Sequence, residues 1–510
     1  MPRRIVRIVR SAHFAGQRPV LLCAAALAFQ LSGCAVGPNY QRPSAAVPAS
    51  FKEAPEGWKV AQPADQADRG AWWTIYDDAQ LNALQDQLNA QNQTIAQYAA
   101  AYRQARALVG EARAAYFPVI SASAGATRSA SPTRVSNAGS PISNDFNVGL
   151  DATWEPDLWG KVSRTVGAQE AGKQGAAANL ANARLSAQAT LAQTYFTLRS
   201  LDSQQKLLDD TVTAYQKSLQ LTQNQYAQGV AGRADVIQAQ TQLQSAQAAA
   251  IDNGVARAQD EHAIAVLVGV PASTFSLPPS PLTATPPVVP VSMPSALLER
   301  RPDIAAAERQ AASANEQIGV AMSAYFPSLT ISASGGFESS VLSQLLSLPS
   351  RFWTLGPSLA GTIFDGGLRH AQTEAARATY DQQVANYRQT VLAAFQDVED
   401  NLASQRILAQ EVVVQRQAVE SAQHALQIIM NEYKVGTVDF QSVLTAQTTA
   451  FVAQQKLASL GGERMVSSVG LVKALGGGWD VAQMDRETGS MAAPGATTTA
   501  AAAGAAPVQQ

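Results

Sequence analysis

Two hydrophobic periodicities divide this chain. Over 147–154 the even positions are Val148, Leu150, Ala152 and Trp154, and the odd ones Asn147, Gly149, Asp151 and Thr153. Over 353–363 Trp353, Leu355, Pro357, Leu359, Gly361 and Ile363 alternate with Thr354, Gly356, Ser358, Ala360 and Thr362. A period of two sends successive side chains to opposite faces of a strand. Taken singly, each run suits a half-buried strand of a soluble sheet as well as a membrane barrel with lipid outside and water inside. The remainder reads as helix. Residues 77–114 and 302–323 are rich in Ala, Gln, Glu and Arg, and Pro118 and Pro327 end them and open the strands. Residues 163–227 and 368–434 hold no proline, and helices of about 65 residues would reach ~100 Å at 1.5 Å per residue. That length fits a coiled coil or a tunnel wall.

The pattern occurs twice. Ala115-Tyr116-Phe117-Pro118 returns as Ala324-Tyr325-Phe326-Pro327, and Leu158-Trp159-Gly160-Lys161-Val162 is echoed by Phe364-Asp365-Gly366-Gly367-Leu368. Tyr226-Ala227-Gln228-Gly229 returns as Tyr433-Lys434-Val435-Gly436, and Val236-Ile237-Gln238-Ala239-Gln240 as Val443-Leu444-Thr445-Ala446-Gln447. Collinear matches at one offset, about 206–209 residues, mark a tandem duplication. The expected organisation is a signal peptide over 1–33, an N-terminal anchor and equatorial segment over 34–76, a first repeat over 77–270 and a second over 298–480. Eight prolines in 271–297 predict an extended linker, and the Ala-rich 481–510 predicts a disordered tail.

Composition sharpens the membrane reading. Five arginines precede an apolar run, Val20 to Phe29, too short to span a bilayer, and Leu31-Ser32-Gly33-Cys34 follows as a lipobox. Cys23 lies within the signal, so Cys34 is the single cysteine expected after processing and no intrachain disulfide can form. The expected modification is an N-palmitoyl and an S-diacylglycerol group on Cys34; several acyl chains hold firmly where one holds weakly. Removing the signal arginines leaves about seven net negative charges and no basic cluster for nucleic acid. No later stretch of about 18 apolar residues appears, so any crossing must be made by strands. Two repeats supply four strands. Four cannot close around a lumen, two copies give a barrel too narrow for a substrate, and three give about twelve strands, within the known range.

Catalytic patterns are lacking. His13 lies in the signal, and His262, His370 and His424 stand singly without metal-ligand spacing. Neither a phosphate-binding G-x-x-x-x-G-K-[ST] loop nor a G-x-S-x-G elbow occurs, so no enzyme, cofactor or metal is expected.

Together these features resemble the TolC-like outer membrane factor family, in particular its lipoprotein branch of NodT-type efflux channels. The resemblance is carried by the lipobox with Gly37-Pro38-Asn39-Tyr40, by Trp72-Trp73 through Asp77-Asp78 and Leu81, and by the doubled AYFP motif. Arg300-Arg301-Pro302-Asp303-Ile304, the Tyr-x-x-Gly turns and Phe364-Asp365-Gly366-Gly367 complete it. It implies a mainly α fold with β: a homotrimer whose 12-stranded barrel, four strands per protomer, crosses the outer membrane and continues as a periplasmic helical barrel. It further implies a passive duct for small toxic compounds, served by a periplasmic adaptor (membrane fusion) protein and an inner-membrane RND-type pump. Alternatives are a type I protein-secretion duct of the same fold and a coiled-coil periplasmic structural or adaptor lipoprotein.

By the same resemblance, the adaptor-contact tips map to Gly229, Val230, Ala231, Val435, Gly436 and Thr437, where glycine also suits an ordinary helix-hairpin turn. The periplasmic gate maps to Asp235, Gln441, Ser442 and Thr445. Three symmetric carboxylates repel one another and couple their titrations, although Asp235 also stands where a helix-capping acid would.

Overall fold

The computed structural model of the protein describes residues 35–53, 70–130, 142–287 and 300–477. The signal segment, Cys34, residues 288–297 of the linker and the tail expected over 481–510 lie outside them. In chain order come a 3-10 turn (Trp72–Tyr76), α1 (Ala79–Gln91), α2 (Gln93–Ala114), β1 (Val119–Ala130), β2 (Ile142–Trp154), α3 (Lys161–Ala227) and α4 (Arg233–Leu267). Then follow α5 (Pro302–Ser323), β3 (Ser328–Ser339), β4 (Arg351–Ala360), α6 (Leu368–Lys434) and α7 (Phe440–Ala474). The duplication is visible in the lengths. Both α3 and α6 have 67 residues, α4 and α7 have 35, and α2 and α5 have 22. Among the described residues no helix is long and apolar enough to cross a membrane.

The chain divides into two compact units. The first takes residues from Met1–Arg42, Ala105–Lys173 and Gln310–Val384 and carries the sheet. Its four strands run antiparallel in the order β1-β2-β3-β4, so the two copies of the hairpin meet at β2 and β3. Acidic side chains start the long helices. Asp157 accepts from the backbone N–H groups of Val162 and Ser163 at 2.9 and 2.8 Å, and Asp365 from those of Gly367 and Arg369 at 3.0 and 3.2 Å. Each supplies partners to helical N–H groups that have none within the helix, at the end where the dipole favours an anion.

The second unit takes residues from Pro43–Gln104, Gln174–Arg309 and Ala385–Gln510 and holds the larger core. Trp72, Trp73, Tyr76, Leu81, Leu84 and Leu88 pack on Leu191, Tyr195 and Phe196 of α3 and on Met465 and Val469 of α7. Asp78 caps α1, accepting from Gln80 and Leu81 N–H at 2.9 and 3.0 Å, and its second oxygen receives the Tyr195 hydroxyl at 2.8 Å. The Trp-Trp and Asp-Asp markers are thus the plug and cap that join the first short helix to the long ones.

The start of the proline-rich linker has few backbone partners of its own, and side chains provide them. Asp202, 1% exposed, accepts from Arg199, Arg257 and the Ser280 N–H at 2.9, 2.8 and 2.9 Å. Arg257 donates to Leu277 O at 2.7 Å, Arg199 to Pro278 O at 2.8 Å, and Glu261 receives the Leu277 N–H at 2.7 Å. An extended strap is therefore fixed by ion-paired side chains that meet its backbone groups in place of a sheet.

Three expectations shift. The helix read over 77–114 is broken at Asn92, whose backbone leaves the helical region at ψ 123°. Its side chain accepts from Ile95 N–H at 2.9 Å to start α2 and donates to Leu267 O at 2.7 Å at the end of α4. The strand read to 363 ends at Ala360, which pairs with Ser328, because the partner strand stops there at Pro327. Within the linker, Ala272–Thr274 forms one 3-10 turn.

Candidate functional site

The register makes the two sheet faces continuous across all four strands. Ile120, Ala122 and Ala124 stand beside Ala152, Leu150 and Val148, which stand beside Ala333, Gly335 and Phe337. Ile331, Ala333 and Gly335 then meet Pro357, Leu355 and Trp353. This apolar face is open. Ile120, Leu150, Leu355, Leu359 and Trp353 are all exposed, Trp353 at 76%. The opposite face is small and polar: Ser121, Ser123, Gly125 and Thr127 on β1, Asp145, Asn147, Gly149 and Asp151 on β2, Ser332, Ser334, Gly336 and Glu338 on β3. Ser123 donates to Asp151 at 3.2 Å. Strands β1 and β4 are edges. Open edges beside a bare apolar face would aggregate in water, whereas lipid and neighbouring strands cover both.

The helical turns lie in the second unit and share one construction. At the end of α3, Gly229 takes φ +77° and its N–H bonds Tyr226 O at 2.9 Å, while Val230 N–H reaches back to Gln225 O at 2.9 Å. At the end of α6, Gly436 takes φ +79°, with Gly436 to Tyr433 O at 3.1 Å and Thr437 to Glu432 O at 3.0 Å. Both are Schellman turns, whose left-handed residue strongly favours glycine. A Cβ at either glycine would meet nothing, so the requirement is one of backbone conformation and not of space. Val230 and Val435 stand exposed on these turns, at 65% and 75%, and Ala231 is half-buried.

Beneath them the two hairpins are sewn together. Tyr433, Phe440 and Val443 are buried with Ala239; Tyr433 donates to Thr222 at 3.2 Å and its carbonyl receives the Gln225 amide at 3.2 Å. The residues mapped to a gate lie in the first turn of α4 and the first two turns of α7. Asp235 accepts the Gly232 N–H at 2.9 Å, so its carboxylate caps its own helix, the role left open beside the gate. Ser442 donates to Asp439 at 2.7 Å, and Thr445 donates to Gln441 O at 2.9 Å within α7. Gln441 and Thr445 are exposed.

One acidic residue escaped the sequence reading. Asp439 is the N-cap of α7 and accepts from Ser442 N–H at 3.0 Å. The Ser442 hydroxyl, then its N–H, hold the Asp439 carboxyl below the usual carboxylate range. The first repeat places glycine at the cap and the acid three residues on; the second places the acid at the cap and serine three residues on. A search for Asp-x-x-Ser ahead of an apolar run would have found it.

Comparison with known proteins gives the fold a family. The family model described as "Outer membrane efflux protein" matches residues 80–270 and again 293–477. The chain is 32% identical over 465 residues to the probable efflux pump outer membrane protein TtgC of Pseudomonas putida, covering 90% of this chain and 96% of that one. It is 28% identical to the cation efflux system protein CusC of Escherichia coli, covering 90% and 99%. Among solved structures, the outer-membrane channel OprN superposes with a TM-score of 0.81 at 29% identity, covering 88% of this chain and all of that one.

Proposed function

The chain belongs to the outer membrane efflux proteins, and on that premise we propose that it is the passive exit duct of a tripartite system exporting small toxic compounds. The reading rests on one observation above the others: four strands with an apolar face that runs across all of them, broken by charge only toward the β1–β2 and β3–β4 connections at Arg128 and Arg351, one polar face and two edges with no partner strand. Such a sheet is complete only when β4 of one copy meets β1 of the next, and three copies make the twelve-stranded wall. The protein lies in the outer membrane with its apolar face to lipid and its polar face to the lumen. Cys34, acylated, tethers each mature N-terminus to the same membrane.

In this reading the chain performs no chemistry and supplies no energy. An inner-membrane pump of the RND type drives cargo, and a periplasmic adaptor seals against the two helical turns. The exposed Val230 and Val435 give that partner apolar contacts, and the Schellman geometry holds them rigidly. Asp235 and Asp439, with Gln441, Ser442 and Thr445, form the polar constriction above the turns. Threefold repetition puts six carboxylates there, and opening would separate them.

The test joins conductance to assembly. The purified protein should migrate as a heat-modifiable trimer and conduct in planar bilayers. Val230→Glu with Val435→Glu should abolish export in cells while leaving trimer and conductance unchanged, since neither side chain is packed in the chain itself. A monomer without conductance would overturn the channel. Full export by the double variant would remove the turns from the adaptor contact.

A further inference from the structure

The residues immediately after Cys34 occupy a built site. Arg164, its side chain 8% exposed, forms an ion pair with Glu316 at 3.0 Å and donates to Val36 O, Gly37 O and the Asn39 side chain at 3.2, 3.1 and 3.3 Å. Asn315, also buried, donates to Pro38 O at 3.0 Å, and Val36 N–H donates to Trp159 O at 3.1 Å. Glycines make room for the close approach. A Cβ at Gly319 would stand 2.9 Å from Val36 O, and one at Gly160, at φ +78°, 2.8 Å from Ala35 Cα. A loose leash needs none of this. Four consecutive residues, Val36 to Asn39, held by a buried arginine and a buried asparagine are a clasp.

A second marker stands at the same level of the sheet. Trp154, Tyr116, Phe117, Tyr325 and Phe326 expose aromatic surface where the strands meet the helices. Trp154 donates to Tyr116 O at 3.0 Å, Trp159 donates to Pro327 O at 2.7 Å, and the Trp159 and Phe326 rings stack with centroids 4.8 Å apart. Amphipathic rings collect at the boundary between hydrocarbon and water, and membrane barrels carry a girdle of them at each edge of the apolar band. Farther along the apolar face stand Trp353, Phe337 and Phe146, at successive steps of the register. From Trp154 to Phe146 the strand climbs eight residues, about 20 Å along the membrane normal at a tilt near 40°, close to the band height of known barrels. The doubled AYFP motif is thereby explained as the lower girdle.

The clasp and the girdle share Trp159, and we propose that Arg164 with Glu316 positions the lipid anchor, pinning the acylated residue at the membrane boundary marked by the lower girdle. Cys34 is one peptide bond from Ala35, so its acyl chains enter the bilayer beside Trp159 instead of ranging over the membrane. Arg164 is a positioning residue. It acts through the segment it holds. The proposal rests on the reading of Cys34 as acylated.

A palmitate analogue carrying a diazirine near its carbonyl, incorporated in growing cells and photolysed, reads the position directly in the full-length protein. In the native chain, cross-links should concentrate on peptides containing Tyr116, Phe117, Trp154, Trp159, Tyr325 and Phe326. Arg164→Gln, or four Gly/Ser residues inserted after Ala35 with the clasp left intact, should lower that preference at least threefold without loss of labelling. The insertion leaves every native contact of Arg164 available, so it remains informative if Arg164→Gln fails to assemble. Native cross-links spread evenly over the strands, or an unchanged pattern in the insertion variant, would overturn the clasp. Absence of label on Cys34 would instead overturn the acylation on which it rests.

Discussion

Asp202 shows how much of this protein depends on charges kept from water. Its two oxygens serve two arginines and the backbone of the linker at once. Asp202→Ala would leave the buried Arg199 without its acid and Arg257 with Glu261 alone, and breaking such a buried pair from one side costs about 3–5 kcal/mol. The denaturant midpoint of the purified protein should fall accordingly, and Asp202→Asn, which keeps one acceptor oxygen, should fall less. An unchanged midpoint for the alanine variant would show that the strap is held by packing alone. At this scale the sequence says little. Arg199 and Asp202 read as one helical i, i+3 pair on a solvated face, and nothing local discloses that Arg257, Leu277 and Ser280 arrive from far along the chain. The same is true of Arg164, whose partners at Val36 and Glu316 lie more than a hundred residues away on either side.

Elements were the legible level. Absence of proline permits α3 and α6, because one proline removes a hydrogen bond and clashes with the preceding turn, and the Tyr-x-x-Gly turns mark where they stop. Alternation marks β2 and β4, because the side-chain period of a strand is two. The break at Asn92 was missed since it contains neither proline nor glycine; its signal is an asparagine able to cap α2, recognisable only once Leu267 stands beside it. The strands make a sharp prediction. Leu150 and Ser334 are near neighbours on opposite faces, Leu150 beside Gly335 and Asp151 beside Ser334. Leu150→Arg sets a charge against lipid, at a cost of about 2–4 kcal/mol near the bilayer midplane. Ser334→Arg sets the same charge in the lumen opposite Asp151 and should cost little. Folding yields into vesicles, measured by heat-modifiability, should separate the two; equal losses would mean that the faces are wrongly assigned.

For the whole molecule the polar face carries a net sign. Asp145, Asp151 and Glu338 lie on it, and its described strand positions include no lysine or arginine. Threefold closure places nine carboxylates along one aqueous wall, and rings of acids favour cations in a pore. Reversal potentials across a salt gradient should therefore show cation preference, weakened by combining Asp145→Asn, Asp151→Asn and Glu338→Gln. If the triple variant matches the native channel, Asp235 and Asp439 set the preference at the turns instead. The order of the strands has one more consequence. The seam inside a chain, β2 to β3, joins the first repeat to the second, and the seam between chains, β4 to β1, joins the second to the first. Around the closed wall every junction is then of the same kind, six modules in a ring cut at three places. A circular permutation that places the second repeat ahead of the first would leave the ring with the same sequence of junctions.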